Sequence, residues 1–294
     1  MEMYSPNTSI KVLKSFLLPV LVLTLLVVSF LYKENIRSFI LDSRESTSKL
    51  IDLAKDVSTP GGLVSKIDSL DAFLTEGGVF LYTNNEREKY GLAQFRADQG
   101  LMDIAEERLQ DMFAKGYFEH VSPTGESASS IADDINYGYI AIGENIALGN
   151  FENDQTIVKA WMDSPGHRAN ILSGKFTSLG VAVGKGTYNG KSTWIGVQIF
   201  AKPLSECPSV DRNLKMTIDD KQQRIDNLEG EIAALEAKIR DAERGKNKNR
   251  EEYNLLVEEY NKLASEINKE ISELKALIAT YNSQVKAFNS CIEQ

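Results

Sequence analysis

Trp161-Met162-Asp163-Ser164-Pro165-Gly166-His167-Arg168-Ala169-Asn170-Ile171-Leu172 places a tryptophan, a proline and one of the chain's two histidines in a single phrase. Proline lacks a backbone N–H and suits the first position of a helix, so Pro165 can open a short helix that carries His167. The other histidine, His120, lies in Tyr117-Phe118-Glu119-His120-Val121-Ser122-Pro123, and Gly143-Glu144-Asn145-Ile146-Ala147 stands between them. Two imidazoles and a carboxylate can bind a metal or move protons near neutral pH.

Outward from these phrases, helix and strand signals alternate. Leu101, Ile104, Ala105, Leu109, Met112 and Phe113 recur at helical spacing, and Gly116 ends the pattern. Asp154 can cap a helix bearing Ile157, Val158, Trp161 and Met162. Leu179 to Gly184 and Ser192 to Phe200 read as strands flanking Tyr188-Asn189-Gly190-Lys191, and Asn-Gly suits a type I′ turn because both central residues need positive φ. The sum over residues 79–203 is an α+β domain with a terminal hairpin.

The flanks have a different character. Ser15 to Tyr32 is uncharged and apolar. As a helix it spans about 27 Å, close to the hydrocarbon core of a bilayer. No small-residue cleavage site follows it, which favours an uncleaved anchor over a secretory signal. Residues 1–14 then form a short cytoplasmic tail. Residues 33–78 read as a juxtamembrane stalk or linker, weakly amphipathic over 33–57 and stopped by Thr59-Pro60-Gly61-Gly62. Charges on the two sides of the anchor do not fix its orientation.

Residues 210–290 carry coiled-coil patterning. Ile225, Leu228, Ile232, Leu235 and Ile239 alternate by threes and fours, while Tyr253, Tyr260, Ile267, Leu274, Tyr281 and Phe288 repeat every seven. Leu256, Leu263 and Leu277 are the expected companion seam, widened by Val257, Ile271, Ile278 and Val285. Gly245 through Asn249 breaks the heptads, so an antiparallel helical hairpin fits better than one rod. From Gly245, the first arm runs back about 50 Å as helix and about 16 Å as extended chain to Cys207, and the second about 69 Å to Cys291. The arms end level, which predicts a Cys207–Cys291 disulfide. Such a bond needs an oxidising compartment and places residues 33–294 outside the cytoplasm.

Composition narrows the function classes. The chain of 294 residues has a net charge of −9 and no long basic run, which disfavours a nucleic-acid partner. No G-x-S-x-G, H-E-x-x-H or P-loop occurs, and neither cysteine lies near a histidine.

The ordered phrases Thr83-Asn84-Asn85-Glu86-Arg87, Tyr117 to His120, Gly143 to Ala147, Trp161 to Leu172 and Leu179 to Gly184 resemble the CAP superfamily (cysteine-rich secretory proteins, antigen 5, pathogenesis-related proteins) in its bacterial, SCP-like branch. The resemblance covers about residues 79–203. It implies a three-layer α-β-α sandwich, here preceded by a transmembrane helix and followed by the coiled-coil hairpin. It also implies an extracytoplasmic location and a cleft in which His120, Glu144 and His167 are the site residues. Eukaryotic members add a second glutamate where this chain has Ser164, with Asp163 one step before it as the candidate fourth group.

Two neutral imidazoles and a carboxylate can hold a divalent metal such as Zn²⁺ with one position open, or act as general acid and base. The expected protein is therefore a single-pass, membrane-anchored CAP-domain protein of the cell envelope. Its cleft would bind a ligand or metal and could hydrolyse an envelope component. Two alternatives stand beside this: a binding module for lipid, sterol or protein without turnover, and a display protein whose coiled-coil arm is the interaction site. The hairpin also leaves apolar positions that could recruit a further helix and so an oligomer.

Overall fold

The computed structural model describes residues 55–66, 68–244 and 249–293. The expected tail, the anchor at 15–32, the stalk up to residue 54 and the chain reversal at 245–248 lie outside them. Among the described residues no helix is long and apolar enough to cross a membrane. The chain divides into two compact units, Leu53–Ser209 with Ala287–Gln294, and one that includes Val210–Lys286.

The first unit is a mixed α/β domain. Its elements are β1 (Asp56–Ser58), β2 (Leu63–Val64), α1 (Glu76–Lys89), β3 (Arg96–Ala97), α2 (Gln99–Lys115), α3 (Ala128–Asp134), β4 (Tyr139–Leu148), α4 (Asp154–Asp163), α5 (Pro165–Ile171), β5 (Ser178–Tyr188) and β6 (Lys191–Pro203). The strands form one sheet in the order β1-β4-β6-β5-β3, with β2 also on β4. β4, β6 and β5 are antiparallel, and the short strands β1, β2 and β3 join in parallel.

Successive side chains on a strand point to opposite faces, and that alternation divides the core. On β6, Ile195, Val197, Ile199 and Ala201 pack with Leu101, Ile104, Ala105, Leu109 and Met112 of α2 and Ile131 of α3. Trp194 and Phe200 face the other way, into a core with Val79, Ile157, Trp161 and Ile171 from α1, α4 and α5. Helices thus cover both faces of the sheet.

The local signals that shape these elements act through the backbone. Gly116 closes α2 in the left-handed conformation, with φ of 67°. Asn189 and Gly190 both have positive φ, as the β5–β6 turn requires. Pro165 opens α5. The cap of α4 is Asn153, which accepts from Thr156 N and donates its own backbone N–H to the Thr156 side chain. Asp154, the expected cap, instead accepts from Thr75 N at 2.7 Å and from Thr75 Oγ1 at 2.9 Å. That carboxylate ties the start of α1 to the start of α4.

The span expected as a stalk is structured from Asp56 onward, because β1 and β2 lie along β4. Helical amphipathicity over 33–57 therefore does not continue to its end. Backbone hydrogen bonds to a neighbouring strand hold Asp56–Ser58 in extended form without the apolar alternation that marks a half-buried strand.

In the second unit, α6 (Arg212–Arg244) and α7 (Arg250–Ile292) run antiparallel. Lys221 Nζ donates to Glu270 and Glu273, while Tyr253 Oη near the other end donates to Glu243. The buried seam of α7 is Tyr260, Ile267, Ile271, Leu274, Ile278, Tyr281 and Val285. The expected companion seam of Leu256, Leu263 and Leu277 is only half-buried. Ile271 and Ile278 beside it pack with Ile225 and Leu228 of α6, with Leu263 against their edge.

Cys207 and Cys291 form a disulfide across a separation of 84 residues. In the chain-entropy account, closing a loop of this length stabilises by about 4–5 kcal/mol. Full-length protein alkylated without reduction is expected to show the mass of an unmodified chain, and its urea midpoint to fall after reduction. Two alkylated thiols in the unreduced protein would contradict the bond.

Candidate functional site

The site begins on α2 and β4. Arg108 follows Leu101, Ile104 and Ala105 at helical spacing, so it lies on the buried stripe of α2. Glu144 shares a face of β4 with Ile142 and Ile146, which points it at α2. The two meet with Arg108 Nε donating to Glu144 Oε1 at 2.8 Å, and their side chains are 0% and 1% exposed. Arg108 Nη1 donates to Tyr117 Oη at 2.6 Å and Nη2 to the Glu119 carbonyl at 2.7 Å. Tyr117 Oη in turn donates to Asp111 Oδ2 at 2.6 Å.

Burial works against the Arg108 charge. The Glu144 carboxylate and Tyr117 outweigh it, so the guanidinium stays above its ordinary range. For Tyr117, burial and the Asp111 carboxylate push the phenol up to about 12. It remains a neutral hydrogen-bonding link.

His120 completes this cluster from the loop after α2. Its Nδ1 lies 2.5 Å from Glu144 Oε2. Its Nε2 lies against the Pro60 carbonyl, which can only accept, so Nε2 carries the hydrogen. Both ring nitrogens are therefore engaged, and both Glu144 oxygens are taken.

His167 approaches from the other face of the sheet. The helix α5 holds it 2% exposed, with Nδ1 2.8 Å from Ser164 Oγ and Nε2 without a hydrogen-bond partner among the described residues. Burial pushes the imidazole down to about 4, and its electrostatic interaction with His120 acts in the same direction. His167 is thus neutral at pH 7. Its carbonyl accepts from Asn145 Nδ2 at 3.1 Å, and Asn145 also donates to Gln198 Oε1 at 3.1 Å. Asn170 Nδ2 donates to Asn145 Oδ1 at 3.0 Å. This amide chain fixes α5 against β4 and β6.

The predicted trio therefore gathers around β4, with His120 and Glu144 on one face and His167 on the other. Asp163, the candidate fourth group, is not part of it. It is exposed and paired with Lys159 at 2.6 Å, one turn back on α4. Ser164 takes the inward direction instead. The Ser164–His167 pair is a poor nucleophile and base, because an imidazole near 4 takes protons weakly at neutral pH and no third group orients it.

The predicted metal set does not assemble as ligands either. Among the described residues no group of three or more His, Cys, Asp or Glu could hold a metal ion. Arg108 and His120 occupy the carboxylate oxygens, and the Pro60 carbonyl occupies the remaining nitrogen of His120. Arg108 was not singled out from the sequence, although a charge at an apolar helical position was its signal. The Pro60 contact had no local signal.

Comparison with known proteins agrees with this architecture. Residues 80–200 match the model of the CAP family, described as the cysteine-rich secretory protein family. This domain belongs to the CAP superfamily, in its bacterial SCP-like branch. The chain is 36% identical over 138 residues to the uncharacterized protein YkwD of Bacillus subtilis, covering 47% of this chain and 51% of that protein. It is 36% identical over 109 residues to the uncharacterized membrane protein YlbC of the same organism, covering 36% of this chain and 30% of that one. The chain thus spans about half or less of these relatives. A solved extracellular SCP-domain protein of Bacillus anthracis is 31% identical, with a TM-score of 0.37 over 43% of this chain and 40% of its own. A cysteine-rich secretory protein of Staphylococcus aureus is 20% identical, with a TM-score of 0.35 over 43% and 38%.

The depressed pKa of His167 has a signed consequence. Between its ordinary value of 6.5 and about 4 the unfolded chain binds the extra proton, so stability falls as pH drops through that window. One pKa unit corresponds to about 1.4 kcal/mol. Urea denaturation of wild type and His167→Gln at pH 7 and pH 4.5 is expected to show wild type losing about 2–3 kcal/mol more than the variant. Equal losses would place His167 in a solvated environment.

Proposed function

We propose that this is a membrane-anchored, extracytoplasmic CAP-domain protein of the cell envelope whose cleft binds a ligand without turning it over. The observation that carries the reading is the division of labour between the two histidines. Glu144 and His120 are saturated by Arg108, by each other and by a backbone carbonyl, which leaves neither of the two free as a base. His167 Nε2 is buried and unpaired among the described residues. A buried polar atom without a partner costs about 1–3 kcal/mol, and a ligand that supplies the partner recovers it. The disulfide supports an oxidising compartment, and the uncharged run Ser15 to Tyr32 supports the anchor.

Detergent-solubilised full-length protein, mixed with isolated bacterial cell envelopes and sedimented, tests the reading. Wild type is expected to co-sediment without releasing soluble fragments, and His120→Ala/His167→Ala to bind at least 10-fold more weakly. Fragment release that depends on the histidines would establish turnover. Undiminished binding by the folded double variant would place the interaction elsewhere.

A further inference from the structure

The outer edge of β4 is covered by the chain itself. β1 pairs Asp56 to Ser58 with Ala141 to Gly143, and β2 pairs Leu63 and Val64 with Ala147 and Leu148. Between them Thr59-Pro60-Gly61-Gly62 stands opposite the shorter stretch Glu144-Asn145-Ile146. One extra residue forces this segment to arch outward, and the arch falls at the site.

Each wall of the site touches the strap. Pro60 gives its carbonyl to His120 Nε2. Ser58 Oγ donates to Asn170 Oδ1 at 2.6 Å. The arch is tightly packed on both sides. A Cβ on Gly62 would lie 2.7 Å from the Phe118 ring, and a Cβ on Gly166 would lie 2.7 Å from Pro60 Cβ.

The strap is nevertheless weakly held. Val57 and Val64 are 49% and 60% exposed, so of the apolar residues on its two strands only Leu63 packs partly against the core. Segments with few buried apolar contacts open at low free energy. The β4 residues beneath, Tyr139 to Ala147, are all buried. Removing the strap would bare a row of backbone N–H and C=O groups, the template for adding another strand.

We propose that residues 55–66 are a removable intramolecular ligand of the cleft. The partner that replaces them is an extended, Pro-Gly-containing polypeptide segment of another protein, added in parallel to the outer edge of β4. Its backbone pairs with β4, a carbonyl before its glycines takes His120, and its small residues pass between Phe118 and Gly166. This rests on the ligand-binding reading of the cleft and names the ligand class.

A fluorescent peptide of the strap sequence, residues 55–66, titrated into the full-length protein tests the proposal by anisotropy. Gly62→Val opens the strap by clashing with Phe118 while leaving the cleft lining intact. It is expected to bind the peptide at least 10-fold more tightly than wild type, and to expose β4 amides to faster hydrogen exchange. Adding His120→Ala should remove at least 10-fold of that gain, and a peptide carrying the same Gly62→Val change should bind poorly. If Gly62→Val disrupts folding, Val57→Pro, which removes a backbone donor from β1, must produce the same gain.

Unchanged peptide affinity in the folded, strap-opened protein would overturn the proposal. So would conversion of that variant to a dimer by strap exchange, since the occupant would then be a second copy. Histidine-dependent retention of cell envelopes without peptide binding would reject the peptide class and leave the ligand-binding reading standing.

Discussion

A carboxylate and a guanidinium buried together between a helix and a sheet constrain everything around them. Glu144 and Arg108 are both inaccessible to water, and either alone would carry several kcal/mol of uncompensated desolvation. The fold meets this by giving each charge a full set of partners. Arg108 spends its donors on Glu144, Tyr117 and the Glu119 carbonyl, while Glu144 accepts from Arg108 and faces His120. The angle of α2 across the sheet, the path of the loop from Tyr117 to His120 and the orientation of the imidazole are therefore fixed by one electrostatic requirement.

The second constraint is the strand period. Glu144 and Asn145 are neighbours in sequence, and alternation sends them to opposite faces of β4. One joins the charged cluster under α2. The other joins the amide chain that reaches Asn170 and the His167 carbonyl. The edge of β4 is where the two faces meet, and His120 and His167 approach it from opposite faces. Their environments differ accordingly. His120 is held by a carboxylate and a carbonyl, whereas His167 is stripped of solvent and left with one hydroxyl partner.

Local signals made much of this legible in the sequence. Gly116, Pro165 and Asn189-Gly190 act through their own backbone preferences, and the structure uses each as such. The phrases that carry His120, Glu144 and His167 stood out because, taken in order, they resemble those of a known family. Elements fixed by tertiary contacts were not. β1 and β2 are short and held by a ladder to residues far along the chain, so no periodicity announces them. Asp163 looked like a substitute carboxylate by position, but α4 turns it outward to Lys159. The seven-residue stripe of α7 from Tyr260 to Tyr281 is buried as read, but its companion is Ile271, Ile278 and Val285 rather than Leu256, Leu263 and Leu277. Leu and β-branched residues alternate along that helix, and only the packing of α6 selects between the two stripes.

The central claim is that Arg108 and Glu144 are a coupled buried pair on which the site is built. A double-mutant cycle on the full-length protein tests it directly, with Arg108→Met, Glu144→Leu and the combination compared by urea denaturation at pH 7. Each single change is expected to destabilise by about 3–5 kcal/mol, because it strands the opposite charge, and the double change to cost markedly less than their sum. Additive effects would show that the two residues act independently, and would contradict the account.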